Sequence, residues 1–101
     1  MSRTYTSSDM EIVVPKGESF VIELEGNPTT GYDWELQFDQ DKIKDIDMQY
    51  VPASESVGAG GKKRFVLQAA KNGHVSVRAI YKRAWERDPI DEKTFKIHIT
   101  K

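Results

Sequence analysis

The run His74-Val75-Ser76-Val77-Arg78-Ala79-Ile80-Tyr81 decides the fold class. Val75, Val77, Ala79 and Tyr81 occupy every second position, alternating with His74, Ser76, Arg78 and Ile80. A period of two belongs to a strand, whose successive side chains point to opposite faces, and not to a helix with its period of 3.6. The same alternation lies on either side of this run. Downstream, Phe95, Ile97 and Ile99 alternate with Lys96, His98 and Thr100. Upstream, Phe65, Leu67 and Ala69 alternate with Arg64, Val66 and Gln68, Trp34, Leu36 and Phe38 with Asp33, Glu35 and Gln37, and Phe20, Ile22 and Leu24 with Val21, Glu23 and Glu25. Each run has one apolar face and one largely polar face, as antiparallel strands covered on one side require. Segments 10–14 and 48–53 bring the count to seven candidate strands.

The residues between these runs are strand punctuation. Asn72-Gly73 separates two alternating runs and predicts a tight hairpin, because both residue types tolerate positive φ. Pro15-Lys16-Gly17 predicts a turn that closes the first strand. Segment 40–47 has room for one short helical turn, with Ile43 and Ile46 as its only apolar residues. Seven short strands in 101 residues predict an all-β protein, an immunoglobulin-like antiparallel β-sandwich forming one domain over residues 1–101. Trp34 is placed to fill its core, without the cysteine pair that accompanies such a Trp in antibody domains.

Composition narrows the function classes. Apolar residues at 38% supply a core and exclude a disordered chain. Fifteen basic residues against sixteen acidic ones leave a net charge of −1, with neither the basic excess of a nucleic-acid binder nor a polybasic handle for a membrane. The absence of cysteine excludes disulfides, thiolate metal sites and a cysteine nucleophile, and suits a reducing compartment. Ile12-Val13-Val14 is the longest aliphatic run, far below the ~20 residues of a membrane span. The start Met1-Ser2-Arg3-Thr4-Tyr5 lacks the apolar stretch of a secretory signal, so a cytoplasmic or intracellular vesicular location is expected.

Three connections differ from ordinary turns. Gly26-Asn27-Pro28-Thr29-Thr30-Gly31-Tyr32 has glycines that permit positive φ at both ends and a proline that stiffens the middle, leaving Thr29 and Thr30 at a short tip. It reads either as a plain polar β-turn or as a rigid presenting loop. Val57-Gly58-Ala59-Gly60-Gly61 opens a strand rather than a helix, which argues against a phosphate cradle. It is either a flexible linker or a backbone bare enough to pair with another chain. In Arg83-Ala84-Trp85-Glu86-Arg87-Asp88 the Trp is either folded back on the core or held out as an anchor.

Catalytic constellations are weak. His74 and His98 fall on the polar faces of separate strands and read as solvated side chains. Glu86, Asp88, Asp91 and Glu92 lack the spacing of a calcium loop and are interleaved with Arg87 and Lys93. No serine sits in a nucleophile elbow. The chain is expected to be no enzyme and to hold no cofactor or metal.

Together the three loops resemble the chagasin family of proteinaceous inhibitors of papain-like cysteine proteases. That family carries an Asn-Pro-Thr-Thr-Gly-aromatic loop, a Gly-x-Gly-Gly loop and an Arg-Pro-Trp loop, in that order. Here they read Asn27-Pro28-Thr29-Thr30-Gly31-Tyr32, Gly58-Ala59-Gly60-Gly61 and Arg83-Ala84-Trp85, with Ala84 in place of the proline. The resemblance implies an immunoglobulin-like sandwich that presents the loops side by side as a wedge. It implies tight, reversible occlusion of a cathepsin-like cleft, with Thr29 and Thr30 over the protease's catalytic Cys and His. The 58–61 loop would pair along the substrate-binding side, and Arg83 and Trp85 would press on the other flank. Ala84 relaxes two backbone restraints that proline imposes, so the Trp85 loop is expected to be less pre-organised. The competing reading is an immunoglobulin-like adhesion or carbohydrate-binding module; a small hydrolase is a third and lacks a nucleophile–base pair. The expected partners are papain-like cysteine proteases, with neither nucleic acid nor membrane, and the chain is expected to be a monomer.

Overall fold

A computed structural model describes residues 3–6, 11–26, 31–52 and 60–101. These form eight strands: β1 (Arg3–Tyr5), β2 (Glu11–Pro15), β3 (Ser19–Gly26), β4 (Tyr32–Gln37), β5 (Ile43–Pro52), β6 (Gly61–Ala69), β7 (Gly73–Arg83) and β8 (Asp91–Thr100). One sheet has the order β1-β3-β6-β5 and the other the order β2-β8-β7-β4. The alternating residues meet between them. Phe20, Ile22, Leu24, Phe65, Leu67 and Ala69 from the first sheet pack with Ile12, Val14, Trp34, Val77, Ala79, Phe95, Ile97 and Ile99 from the second. No helix occurs among the described residues.

The all-β sandwich is as expected, but its sheets are mixed and its strands number eight. β1 runs parallel to β3 and β2 runs parallel to β8. Both are short N-terminal strands that each extend one edge of a sheet. In-out alternation fixes which face of a strand is buried but carries no information on the direction of its neighbour. β1, at three residues, is too short to display a period.

Three local expectations are revised. Asn72-Gly73 is no hairpin: β6 lies in the first sheet and β7 in the second, so the segment carries the chain across the sandwich. Gly73 alone takes the positive φ, at 134°, and Asn72 does not. Segment 40–47 is mostly strand. Lys42 and Ile43 both donate to the Asp39 carbonyl in one turn, and β5 starts at Ile43. A bulge then displaces Ile46 from the ladder between Asp45 and Asp47. Val21 and Ile80, read as members of polar faces, are both buried.

The Pro15 turn forms as expected: Glu18 donates to the Pro15 carbonyl at 3.2 Å and Gly17 holds φ at 91°. On the outer face of the second sheet, Arg78 grips Glu92 with two hydrogen bonds of 2.7 and 2.8 Å. That bonding holds the Glu92 carboxyl below the usual carboxylate range and raises the guanidinium.

Candidate functional site

The strand register brings three loop bases to one end of the sandwich. In the first sheet Gly61 pairs with both Gly26 and Pro52. The connection 27–31 therefore leaves beside the connection 53–60. In the second sheet Tyr32 pairs with Arg83, so 27–31 returns beside the 84–90 connection. The first loop crosses between sheets, and the other two are hairpin connections within one sheet each. Of the expected site residues, Asn27, Pro28, Thr29, Thr30, Gly58 and Ala59 lie outside the described residues. Gly31, Tyr32, Gly60, Gly61, Arg83, Ala84 and Trp85 are described, and all seven sit at this end.

A stack of planar groups runs from the core out to Trp85. Trp34 is 4% exposed, and its indole N–H donates to the Glu25 carbonyl at 2.9 Å, tying β4 to β3 across the two sheets. Tyr81 lies against it with ring centroids 4.7 Å apart. Tyr32 stacks on Tyr81 at 5.5 Å. The Arg83 guanidinium covers Tyr32 at 4.4 Å and reaches the Trp85 ring at 5.8 Å. Each contact lies within the range at which aromatic pairs and cation–π pairs attract. Trp85 itself is 74% exposed, which decides between the two readings of it: it is held out, not folded into the core.

The turn that presents Trp85 is tight. Glu86 donates its N–H to the Arg83 carbonyl at 3.1 Å, placing Ala84 and Trp85 at the two central positions of a four-residue turn. Lys82 Nζ donates to the Glu86 carbonyl and Arg83 to the Glu86 carboxylate, at 3.1 and 3.3 Å. No described residue other than glycine takes a positive φ, so the turn fits the type I pattern, whose first central position favours proline. Ala84 occupies that position.

Glycines act here through both conformation and space. Gly31 has φ 85° and Gly60 φ 78°, left-handed values that favour glycine. Gly26 does not share them, contrary to expectation. It ends β3 as a strand residue whose missing side chain leaves room for Tyr81, since a Cβ there would lie 3.3 Å from the Tyr81 ring. At Gly31 a Cβ would lie 3.3 Å from the Trp85 ring, so the first and third loops touch.

Charges at this end are paired internally. Lys63, mostly buried, donates to Asp33 at 2.7 Å and to the Trp34 carbonyl at 3.1 Å. It thereby links β6 to the edge strand β4 in the other sheet. Glu23 lies 3.3 Å from both Lys62 and Arg64. Glu86 is engaged by Arg83, Glu92 by Arg78 and Asp91 by Lys93, so three of the four acids considered above are ion-paired. Among the described residues no group of three or more potential ligands could hold a metal.

Sequence reasoning did not single out Tyr81, Lys63 or Asp33 as parts of this end. Tyr81 carried a usable signal, an aromatic closing a strand face just before the Arg83 loop. Lys63 and Asp33 carried none, being thirty residues apart and in different sheets.

The chain resembles known proteins over nearly all its length. It is 29% identical over 102 residues to amoebiasin-1 of Entamoeba histolytica, covering 98% of this chain and 97% of the relative. It is 28% identical to chagasin of Trypanosoma cruzi, covering 87% and 86%. The crystal structure of the Entamoeba histolytica cysteine protease inhibitor EhICP2 superimposes with a TM-score of 0.83 at 20% identity, over 97% of this chain and 94% of that one, and so shares its fold. The family model for chagasin family peptidase inhibitors, I42, matches residues 13–99, which include every strand from β3 to β7, all three loops and nearly all of β8. The chain belongs to the chagasin family of peptidase inhibitors.

Proposed function

We propose that the chain inhibits papain-like cysteine proteases reversibly, by filling the catalytic cleft with the loops 27–32, 58–61 and 83–85. The observation that carries this reading is the contact of Trp85 with Gly31 at the end where the three loop bases meet. An exposed Trp braced by a neighbouring loop loses little freedom on binding, so more of its contact energy appears as affinity. In this account the segment 27–30 enters over the nucleophile, with Thr29 and Thr30 as small uncharged fillers. A carboxylate in that position would have to be desolvated. The loop of Gly60 and Gly61 lies along the substrate-binding side through its backbone. Arg83 acts mainly as a prop, because its guanidinium is already packed on Tyr32 and bonded to Glu86.

The reading as an adhesion or carbohydrate-binding module is not favoured, since the family match is to peptidase inhibitors. Family members of this kind are inhibitors rather than enzymes. The direct test is titration of papain with the protein in the presence of a fluorogenic peptide. Stoichiometric, reversible loss of activity is expected, and full activity at micromolar protein would refute the proposal.

A further inference from the structure

The chain has two histidines in 101 residues, and the fold makes them neighbours. His74 in β7 and His98 in β8 are register partners on the outer face of the second sheet. Their rings stack with centroids 4.3 Å apart and planes 13° from parallel. Reading the two as separate solvated side chains is therefore incomplete: both are exposed, but they form a pair.

We propose that His74 and His98 form a two-imidazole binding site for a divalent transition-metal ion of the Zn²⁺ or Ni²⁺ class. Neutral imidazole is the commonest metal ligand among side chains, and such ions accept it readily. The strand ladder already fixes both Cβ atoms at cross-strand distance, about 4.5–5.5 Å. Metal–nitrogen bonds of about 2.0–2.1 Å at a tetrahedral centre need the two donor nitrogens about 3.3 Å apart. The rings must therefore close slightly and turn so that their in-plane lone pairs converge. This is rotation about a broad, soft torsion and needs no backbone movement.

The surroundings leave room for the ion. The pair borders a groove of about 480 Å³ whose other walls include Glu11, Val13, Ser76 and Lys96. Glu11 pairs with Lys96 and Val13 with His98, so Glu11 lies diagonal to His98 on the neighbouring strand. The Glu11 carboxylate lends negative charge beside the pair rather than a third bond, since among the described residues no group of three potential ligands could hold a metal, and water completes the coordination. Two cations oppose binding. Lys96 shares the groove, and the Lys42 ammonium donates to the His74 carbonyl at 3.3 Å. They set the site apart from a closed structural zinc centre with four protein ligands.

The location makes the proposal independent of protease inhibition. His74 is nine residues before Arg83 on the same strand, about 30 Å away at strand rise. The test is titration of the whole chain with ZnCl₂ and, separately, NiCl₂, followed by calorimetry and by the histidine ring signals in NMR. One ion per chain is expected, with perturbation of both rings and a melting temperature that rises with metal concentration. His74→Ala and His98→Ala should each weaken binding at least tenfold, and Glu11→Gln should weaken it less. In EDTA, all three variants should inhibit papain as the parent does, which separates this site from the inhibitory reading. The proposal is overturned by unperturbed rings at millimolar metal, or by binding that survives in the folded double variant H74A/H98A.

Discussion

The indole of Trp85 lies against the α-carbon of Gly31, so close that a methyl group there would sit 3.3 Å from its Cη2 atom. Gly31 also holds φ at 85°. The two facts act together on one substitution. Gly31→Ala adds a Cβ in a left-handed conformation, costing about 1–2 kcal/mol, and pushes on the ring that the loop braces. Inhibition of papain by the folded variant should weaken at least tenfold. Unchanged inhibition with an unchanged melting temperature would mean that the contact does not position Trp85.

Trp85→Ala separates binding from folding. At 74% exposure the side chain contributes little to the core, so the melting temperature should move by no more than a few degrees. Affinity should fall by about 1–3 kcal/mol, mostly through faster dissociation. Stopped-flow inhibition kinetics beside thermal melting checks both. A large loss of stability with unaltered dissociation would contradict the exposed anchor.

The third prediction restores the residue that the family carries at Ala84. The position is the first central residue of the Arg83–Glu86 turn, and the type I pattern that this turn fits calls for a φ of about −60° there, the value proline fixes. The preceding residue, Arg83, ends a strand and so has the extended backbone that a following proline demands. Ala84→Pro should stabilise the chain by about 0.4–1 kcal/mol and slow dissociation from papain. A lower melting temperature would show that the turn is not of this type.

The fold class was legible because burial on one face imposes a period of two. Phe20, Ile22 and Leu24, or Phe95, Ile97 and Ile99, are core residues wherever their strands lie in a sheet. The neighbours of each strand were not legible. Nothing local to Asn72-Gly73 distinguishes a hairpin from a crossing between sheets, and nothing in segment 10–14 shows that β2 pairs parallel with β8. The loops were legible as motifs, yet the stack from Trp34 through Tyr81 and Tyr32 to Arg83 depends on register between β4 and β7, which brings together members up to 51 positions apart. The His74–His98 pair was hidden for the same reason, since the β7–β8 ladder brings together residues 24 positions apart.

Lys63 tests how the two sheets are held beside the loops. Its ammonium bridges Asp33 and the Trp34 carbonyl, and the side chain is 14% exposed while Asp33 is 60% exposed. Because the acid is solvated, the ion pair contributes modestly, and Lys63→Met keeps the packing of the stem. We expect a stability loss of about 1 kcal/mol, a drop of roughly 4–8 °C in melting temperature for a domain of this size. The loss should shrink on the Asp33→Asn background, where the pair is already broken. Equal losses on both backgrounds would show that the ion pair itself contributes nothing.

Thr29 and Thr30 distinguish a plug from a substrate. If the segment 27–30 only fills the cleft, replacing both threonines by alanine should weaken inhibition modestly, because Trp85 and the glycine loop share the contact. Thr29→Asp should weaken it far more, since a carboxylate must then be desolvated beside the protease's own charged Cys–His pair. In neither variant should the chain be cut there. The described residues on either side of segment 27–30 have close neighbours, Gly26 beside Tyr81 and Gly31 beside Trp85. Such a loop can occupy a cleft without delivering a peptide bond in line with the nucleophile. Intact-mass spectrometry of the complex with papain, sampled over hours at the protease's working pH, reads this directly. A single unbroken mass is expected throughout. Fragments ending at Thr29 or Thr30, appearing as fast as inhibition is lost, would make the protein a slow substrate and overturn the occlusion mechanism.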